Sequence, residues 1–143
     1  MRISKLLEAK GSHVVTIRPE AAIAEAVAEL ARHGLGALVV SSDGSHIEGI
    51  VSERDIVRGL DGAGGSFLQQ PVSSIMSSTV RTCQLQDETD ALMTTMTERR
   101  IRHVPVVDSG RLAGIVSIGD IVKTKIGELE HDRKELVDYI NAR

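Results

Sequence analysis

The chain has 143 residues, about one domain's worth, and 41% of them are apolar, which is enough for a core without metal or disulfide staples. Its 17 basic and 20 acidic residues nearly cancel, and Phe67 and Tyr139 are its only Phe, Tyr or Trp residues. That combination argues against a nucleic-acid surface, which needs excess positive charge and, for single strands, aromatic stacking platforms. A lone cysteine, Cys83, excludes an intramolecular disulfide and fits a reducing compartment. No apolar run approaches membrane-spanning length, and Met1–Gly11 lacks the apolar stretch of a signal peptide, so a cytoplasmic protein is expected.

The chain reads as a duplication. Gly49-Ile50-Val51-Ser52-Glu53-Arg54-Asp55-Ile56-Val57 matches Gly114-Ile115-Val116-Ser117-Ile118-Gly119-Asp120-Ile121-Val122 at seven of nine positions, 65 residues apart. Upstream the spacing is 66, so Thr16 falls on Thr82 and Leu35–Val40 falls on Ile101–Val106. The one-residue slip lies in the turns Ser42–Ser45 and Asp108–Gly110, where length changes are tolerated.

In chain order, each unit opens on a β-branched run, Val14–Ile17 or Thr79–Thr82. A helix follows, with Ile23, Ala26, Val27 and Leu30 on one face of the first copy and Thr89, Leu92, Met93 and Met96 on the same face of the second. Gly34 offers a left-handed stop. Ala37–Ser41, a turn and Ile47–Ser52 then read as a hairpin, and a second helix starts after Ser52 or Ser117. Pro105 marks an edge or a bulge in its strand. The fold class is therefore α/β (α+β): two β-α-β-β-α repeats packed as a pseudo-twofold pair, plus a C-terminal helix. The expected divisions are residues 1–60 for an N-terminal helix and the first repeat, 61–70 for a flexible Gly-rich linker, 71–126 for the second repeat and 127–143 for the helix. The apolar stripe Ile126, Leu129, Leu136, Val137, Ile140 on that helix suits either a partner helix or docking on its own domain.

Catalytic signatures are missing. No two of the five histidines stand at i+3 or i+4, and there is no Cys-x-x-Cys, nucleophile elbow or phosphate-loop Gly-Lys-Ser/Thr. Cys83, at a strand end, reads as a packed thiol. The repeated Ser-x-x-Asp supports two readings. It is a helix capping box, and it is also a plausible nucleotide fixture, since a helix N-terminus attracts phosphate and a carboxylate can accept both hydroxyls of a ribose.

Two copies of Gly-Ile-Val-Ser-x-x-Asp-Ile-Val, the second preceded by Arg102-His103-Val104-Pro105-Val106-Val107-Asp108, resemble a tandem cystathionine-β-synthase (CBS) domain pair over about residues 1–126. With Leu6–Gly11 and Arg99–His103, the likeness is to bacterial stand-alone pairs. The resemblance implies a cytoplasmic, homodimeric, non-catalytic sensor of adenosine nucleotide (AMP, ADP, ATP or NAD(H)) that signals to a separate effector protein, with no membrane or nucleic-acid partner and no catalytic cofactor or metal. It implies one cleft of Ser52, Glu53, Arg54, Asp55, Thr82, Arg102 and His103, whose cations would meet phosphate. A second cleft would hold Thr16, Gly36, Ala37, Ser117, Ile118, Gly119 and Asp120. The alternative is a ligand-independent dimerisation or scaffold module.

Overall fold

The computed structural model describes residues 1–142. Six strands form two three-stranded sheets, β1 (Thr16–Ile17), β2 (Ala37–Val40) and β3 (Gly49–Ser52) in one, β4 (Cys83–Gln84), β5 (His103–Asp108) and β6 (Arg111–Ser117) in the other. In each sheet the first two strands are parallel and the last two antiparallel. Five helices complete the chain: α1 (Ile3–Lys10), α2 (Ile23–His33), α3 (Glu53–Ala63), α4 (Thr89–Arg99) and α5 (Ile118–Asn141). The β-α-β-β-α order occurs twice, as the repeat implies.

Each repeat has its own core. In the first, α2 turns Ile23, Ala26 and Leu30 onto a β2 that is buried throughout, because both of its neighbours and a helix cover it. In the second, Leu92 and Met96 of α4 meet Val104 and Val106 of β5. Gly34 ends α2 in the left-handed region (φ 63°), its N–H bonded to the Leu30 carbonyl. Arg100 holds the equivalent place after α4 with φ 55°, a conformation that costs a non-glycine residue roughly 1–2 kcal/mol.

Four local expectations change. The opening strands are shorter and, in the second repeat, later: Thr79–Thr82 is not a strand, and β4 is Cys83–Gln84. Only two residues of each run align with the central strand, Thr16 and Ile17 with Val39 and Val40, Cys83 and Gln84 with Val106 and Val107. Pro105 lies in β5, the central strand of its sheet, with a register shift one residue on, between Val106 and Val107. Because β4 reaches β5 only at Val106 and Val107, Pro105 sits where the strand has a single neighbour. The Gly-rich segment is not a free connector. Asp61–Ala63 finish α3, and Gly65–Gln69 form a 3-10 turn that buries Phe67 in the first core. Finally, α5 runs unbroken for 24 residues through Gly127, so the helix of the second repeat and the C-terminal helix are one.

The segments that enter the repeats are exchanged. Ile3, Leu6 and Leu7 of α1 precede the first repeat yet pack in the core of the second. Ile3 and Ser4 N–H donate to the carbonyls of Asp87 and Leu85, and Thr89 N–H donates to Met1. Residues 70–73 do the same to the first repeat: Val72 and Ser73 N–H donate to Ala21 and Pro19, and Ile23 N–H donates to Gln70. Glycine permits both crossings. A Cβ on Gly114 would stand 2.8 Å from a Leu7 methyl, and one on Gly49 2.7 Å from the Met76 sulfur, closer than real contacts allow.

Candidate functional site

The starts of α3 and α5 share the same capping box. Ser52 Oγ accepts from Asp55 N–H (3.2 Å) while Ser52 N–H donates to Asp55 Oδ2 (2.9 Å), a reciprocal box that satisfies two otherwise orphaned donors. Ser117 and Asp120 repeat it at 3.2 and 2.8 Å. The first helical N–H of each is also tied to the loop before the central strand, Glu53 to the Gly36 carbonyl (2.9 Å) and Ile118 to the Arg102 carbonyl (2.8 Å). Two helix N-termini, each carrying about half a positive charge, thereby face the region where the repeats meet.

A cavity of about 500 Å³ lies there, within the range of small-ligand sites. Four arginines, Arg54, Arg58, Arg100 and Arg102, and two acidic residues, Glu53 and Asp55, are among the residues that line it. Asp55 Oδ2 accepts both from Ser52 N–H and from Ser52 Oγ (3.0 Å), leaving Oδ1 without a protein partner among the described residues. Gly36 and His103, one from each repeat, touch across the cavity wall: a Cβ on Gly36 would stand 3.0 Å from the His103 ring. Burial disfavours the charged form of His103. Burial first, and the Arg102 charge second, push its pKa below the ordinary imidazole value, against a smaller opposing pull from Glu53. Of the three groups expected to meet phosphate, Arg54 and Arg102 carry a charge that does not depend on pH near neutrality.

Residues expected in different clefts line one cavity. Ser52, Glu53, Arg54, Asp55, Arg102 and His103, expected in one cleft, share this cavity with Gly36, Ala37, Ser117, Ile118 and Gly119, expected in the other. Thr16 and Thr82 lie outside its lining. Thr16 pairs with Val39, three residues along β2 from Gly36, which is roughly 10 Å of strand. Asp120 also lies outside, on a separate groove between α1 and α5. There Lys10 Nζ donates to Asp120 Oδ2 (2.6 Å) and to the Ile115 carbonyl (2.6 Å). Burial works against the Asp120 charge, but the hydrogen bonds from Lys10 and from Ser117 N–H outweigh it and hold the carboxyl below its usual range. The two Ser-x-x-Asp motifs thus differ: Asp120 carries a tethered ammonium and Asp55 does not. Sequence reasoning missed Arg58 and Arg100. Arg58 was within reach, since it follows Arg54 at i+4 and shares its helix face.

The CBS-domain model matches residues 10–62 and 72–127, most of the chain and both repeats. The chain belongs to the CBS-domain family. Its pair superposes on the crystal structure of the CBS-domain-containing protein ATU1752 from Agrobacterium tumefaciens with a TM-score of 0.84 and 48% identity, over 87% of this chain and 99% of that one. It superposes on the CBS domain protein PAE2072 of Pyrobaculum aerophilum, complexed with AMP, with a TM-score of 0.75 and 32% identity over 84% and 89% of the two chains. For the CBS domain pair of the protein MJ0100, in complex with 5′-methylthioadenosine and S-adenosyl-L-methionine, the values are 0.78 and 25%, over 90% and 98%. The mitochondrial CBS-domain-containing protein CBSX3 of Arabidopsis thaliana is 35% identical over 122 residues, 82% of this chain, and the match spans 59% of that protein's length. Two related CBS pairs therefore hold adenosine-containing ligands. Among the described residues, no helix of this chain is long and apolar enough to cross a membrane.

Proposed function

We propose that this CBS pair is a regulatory module that binds an adenosine nucleotide in the cavity between its repeats, as a cytoplasmic homodimer read by a separate effector protein. One observation carries the reading: two helix N-termini and four arginines converge on a cavity of about 500 Å³ that also holds the Asp55 carboxylate. The arginines and helix ends suit a phosphate, and Asp55 Oδ1 suits a ribose diol. The ligands named for two relatives share an adenosine group, and one of them, AMP, carries a phosphate. A ligand touching both repeats signals through its differential affinity for their relative arrangements. Binding rather than catalysis is supported by the lone thiol: burial, then the Asp87 charge, push Cys83 up to about 12, so thiolate is scarce at neutral pH.

A second reading, a ligand-independent dimerisation module, has one observation in its favour: each Ser and Asp of the two motifs already has a role in capping its own helix. Calorimetric titration with adenosine, AMP, ATP and NAD(H) separates the two. Asp55→Asn weakens every adenosine ligand by roughly tenfold to a hundredfold if it holds the ribose, as for a hydrogen bond to a charged group. Arg102→Ala weakens AMP and ATP more than adenosine, and Asp120→Asn, outside the cavity, leaves AMP affinity near the parent's. Absence of binding by nucleotide-free parent protein, or Asp55→Asn binding like the parent while melting lower, leaves Ser52-x-x-Asp55 a helix cap alone.

A further inference from the structure

The distal half of α5 extends past the matched repeats with an apolar stripe on its surface. Within α5 only Ile121 is buried, whereas Leu129, Leu136 and Ile140 are 57%, 60% and 59% exposed. The stripe is not scattered. Val122, Ile126, Leu129, Arg133, Leu136 and Ile140 follow one another at alternating steps of four and three, the seam of a two-stranded coil. The Met1 ammonium pairs with Glu128 (3.4 Å) on the body side of the helix, and Lys125, at the edge of the seam, pairs with Asp90 (3.4 Å), while Leu129, Leu136 and Ile140 stay exposed.

We infer that the seam's occupant is α5 of a second copy, joined as a parallel two-stranded coiled coil in which Lys125 of each chain meets Glu130 of the other. The argument is charge complementarity. With Ile126, Arg133 and Ile140 at a and Val122, Leu129 and Leu136 at d, the flanking positions are Lys125, Asp132 and Tyr139 at g, and Lys123, Glu130 and Val137 at e. A parallel pair sets each g against the next e of the partner, giving Lys125–Glu130 twice, and it places Asp132 beside the partner's Arg133. The antiparallel register that aligns the same seam sets Glu130 against Glu130 and Asp132 against Asp132, which is repulsive. Arg133, the one polar residue in the seam, weakens the coil and fixes its register, as single polar a positions do. The inference rests on the homodimer part of the proposed function and is independent of its ligand.

The test is sedimentation of the full chain, with circular dichroism to show that each variant stays folded; Leu129, Glu130 and Leu136 are exposed and Lys125 is half-buried. Leu129→Glu with Leu136→Glu is expected to raise the dimer dissociation constant by more than about tenfold, and Lys125→Glu or Glu130→Lys alone by about tenfold. The double exchange Lys125→Glu/Glu130→Lys is expected to restore the dimer, which an effect through Lys125's own-chain partners would not do. Leu136→Cys is expected to cross-link to itself on mild oxidation, since the two copies meet in a parallel coil but lie about 15 Å apart along the antiparallel one. A dimer untouched by the two glutamates overturns this interface and leaves the homodimer standing. A monomeric parent at high concentration overturns both. Loss of the dimer in the glutamate variant without self-cross-linking of Leu136→Cys overturns the parallel arrangement.

Discussion

Replacing Lys10 with Met keeps an unbranched side chain one atom shorter and removes the ammonium that joins α1 to the start of α5. Lys10 Nζ makes two hydrogen bonds of 2.6 Å, to Asp120 Oδ2 and to the Ile115 carbonyl. The side chains are 33% and 24% exposed, so the pair sits between a solvated ion pair, at about 0–1 kcal/mol, and a buried hydrogen bond to a charged group, at about 1.5–3 kcal/mol. The expected loss at pH 7 is about 1–2 kcal/mol, or about 3–6 °C in Tm for a chain of this size. The pH dependence has a definite sign. Asp120 is held below its ordinary value in the folded chain, so its contribution is complete above the unfolded carboxylate range and fades as pH falls through the lowered folded value. Removing Lys10 takes away the largest favourable influence on that charge. The gap between parent and variant is therefore full at neutral pH and narrows in acid as Asp120 is protonated in both proteins. Urea melts across the acid range measure it. A variant as stable as the parent at pH 7, or a deficit unchanged at low pH where Asp120 is neutral, refutes the reasoning.

Gly114→Val and Gly49→Val each force a side chain into the exchanged segments, against Leu7 at 2.8 Å and Met76 at 2.7 Å, and are expected to lose roughly 1–3 kcal/mol or more in denaturant melts; full stability would disprove the crossings. Arg102→Ala removes a charge that lowers the His103 pKa, so the ring's titration followed by NMR is expected to move upward while burial keeps it below an unfolded reference. Cys83 is expected to resist a thiol reagent at pH 8 in the native protein and to react fully once unfolded, because burial and the Asp87 charge suppress its thiolate; fast native labelling would contradict that.

What was legible in the sequence was whatever depends on neighbours within a turn or two. The stripe Ile23, Ala26, Leu30 defines the buried face of α2, Gly34 ends it, and Ser52-x-x-Asp55 and Ser117-x-x-Asp120 start helices by local hydrogen bonds. The duplication was legible too, because two matching stretches need similar local environments. The exchanged entry segments left only a faint trace, Arg2-Ile3-Ser4 against Pro71-Val72-Ser73, too short to read without knowing what each packs on. Only the tertiary structure decided the rest. Lys10 and Asp120 are 110 residues apart, and nothing local tells that one Ser-x-x-Asp carries an ammonium while the other opens its carboxylate to a cavity. Arg100 and Arg58 reach that cavity from different repeats, and burial and the field of Arg102 lower the pKa of His103. Charge, desolvation and cavity shape depend on distances through space, and those exist only once both repeats have closed on each other.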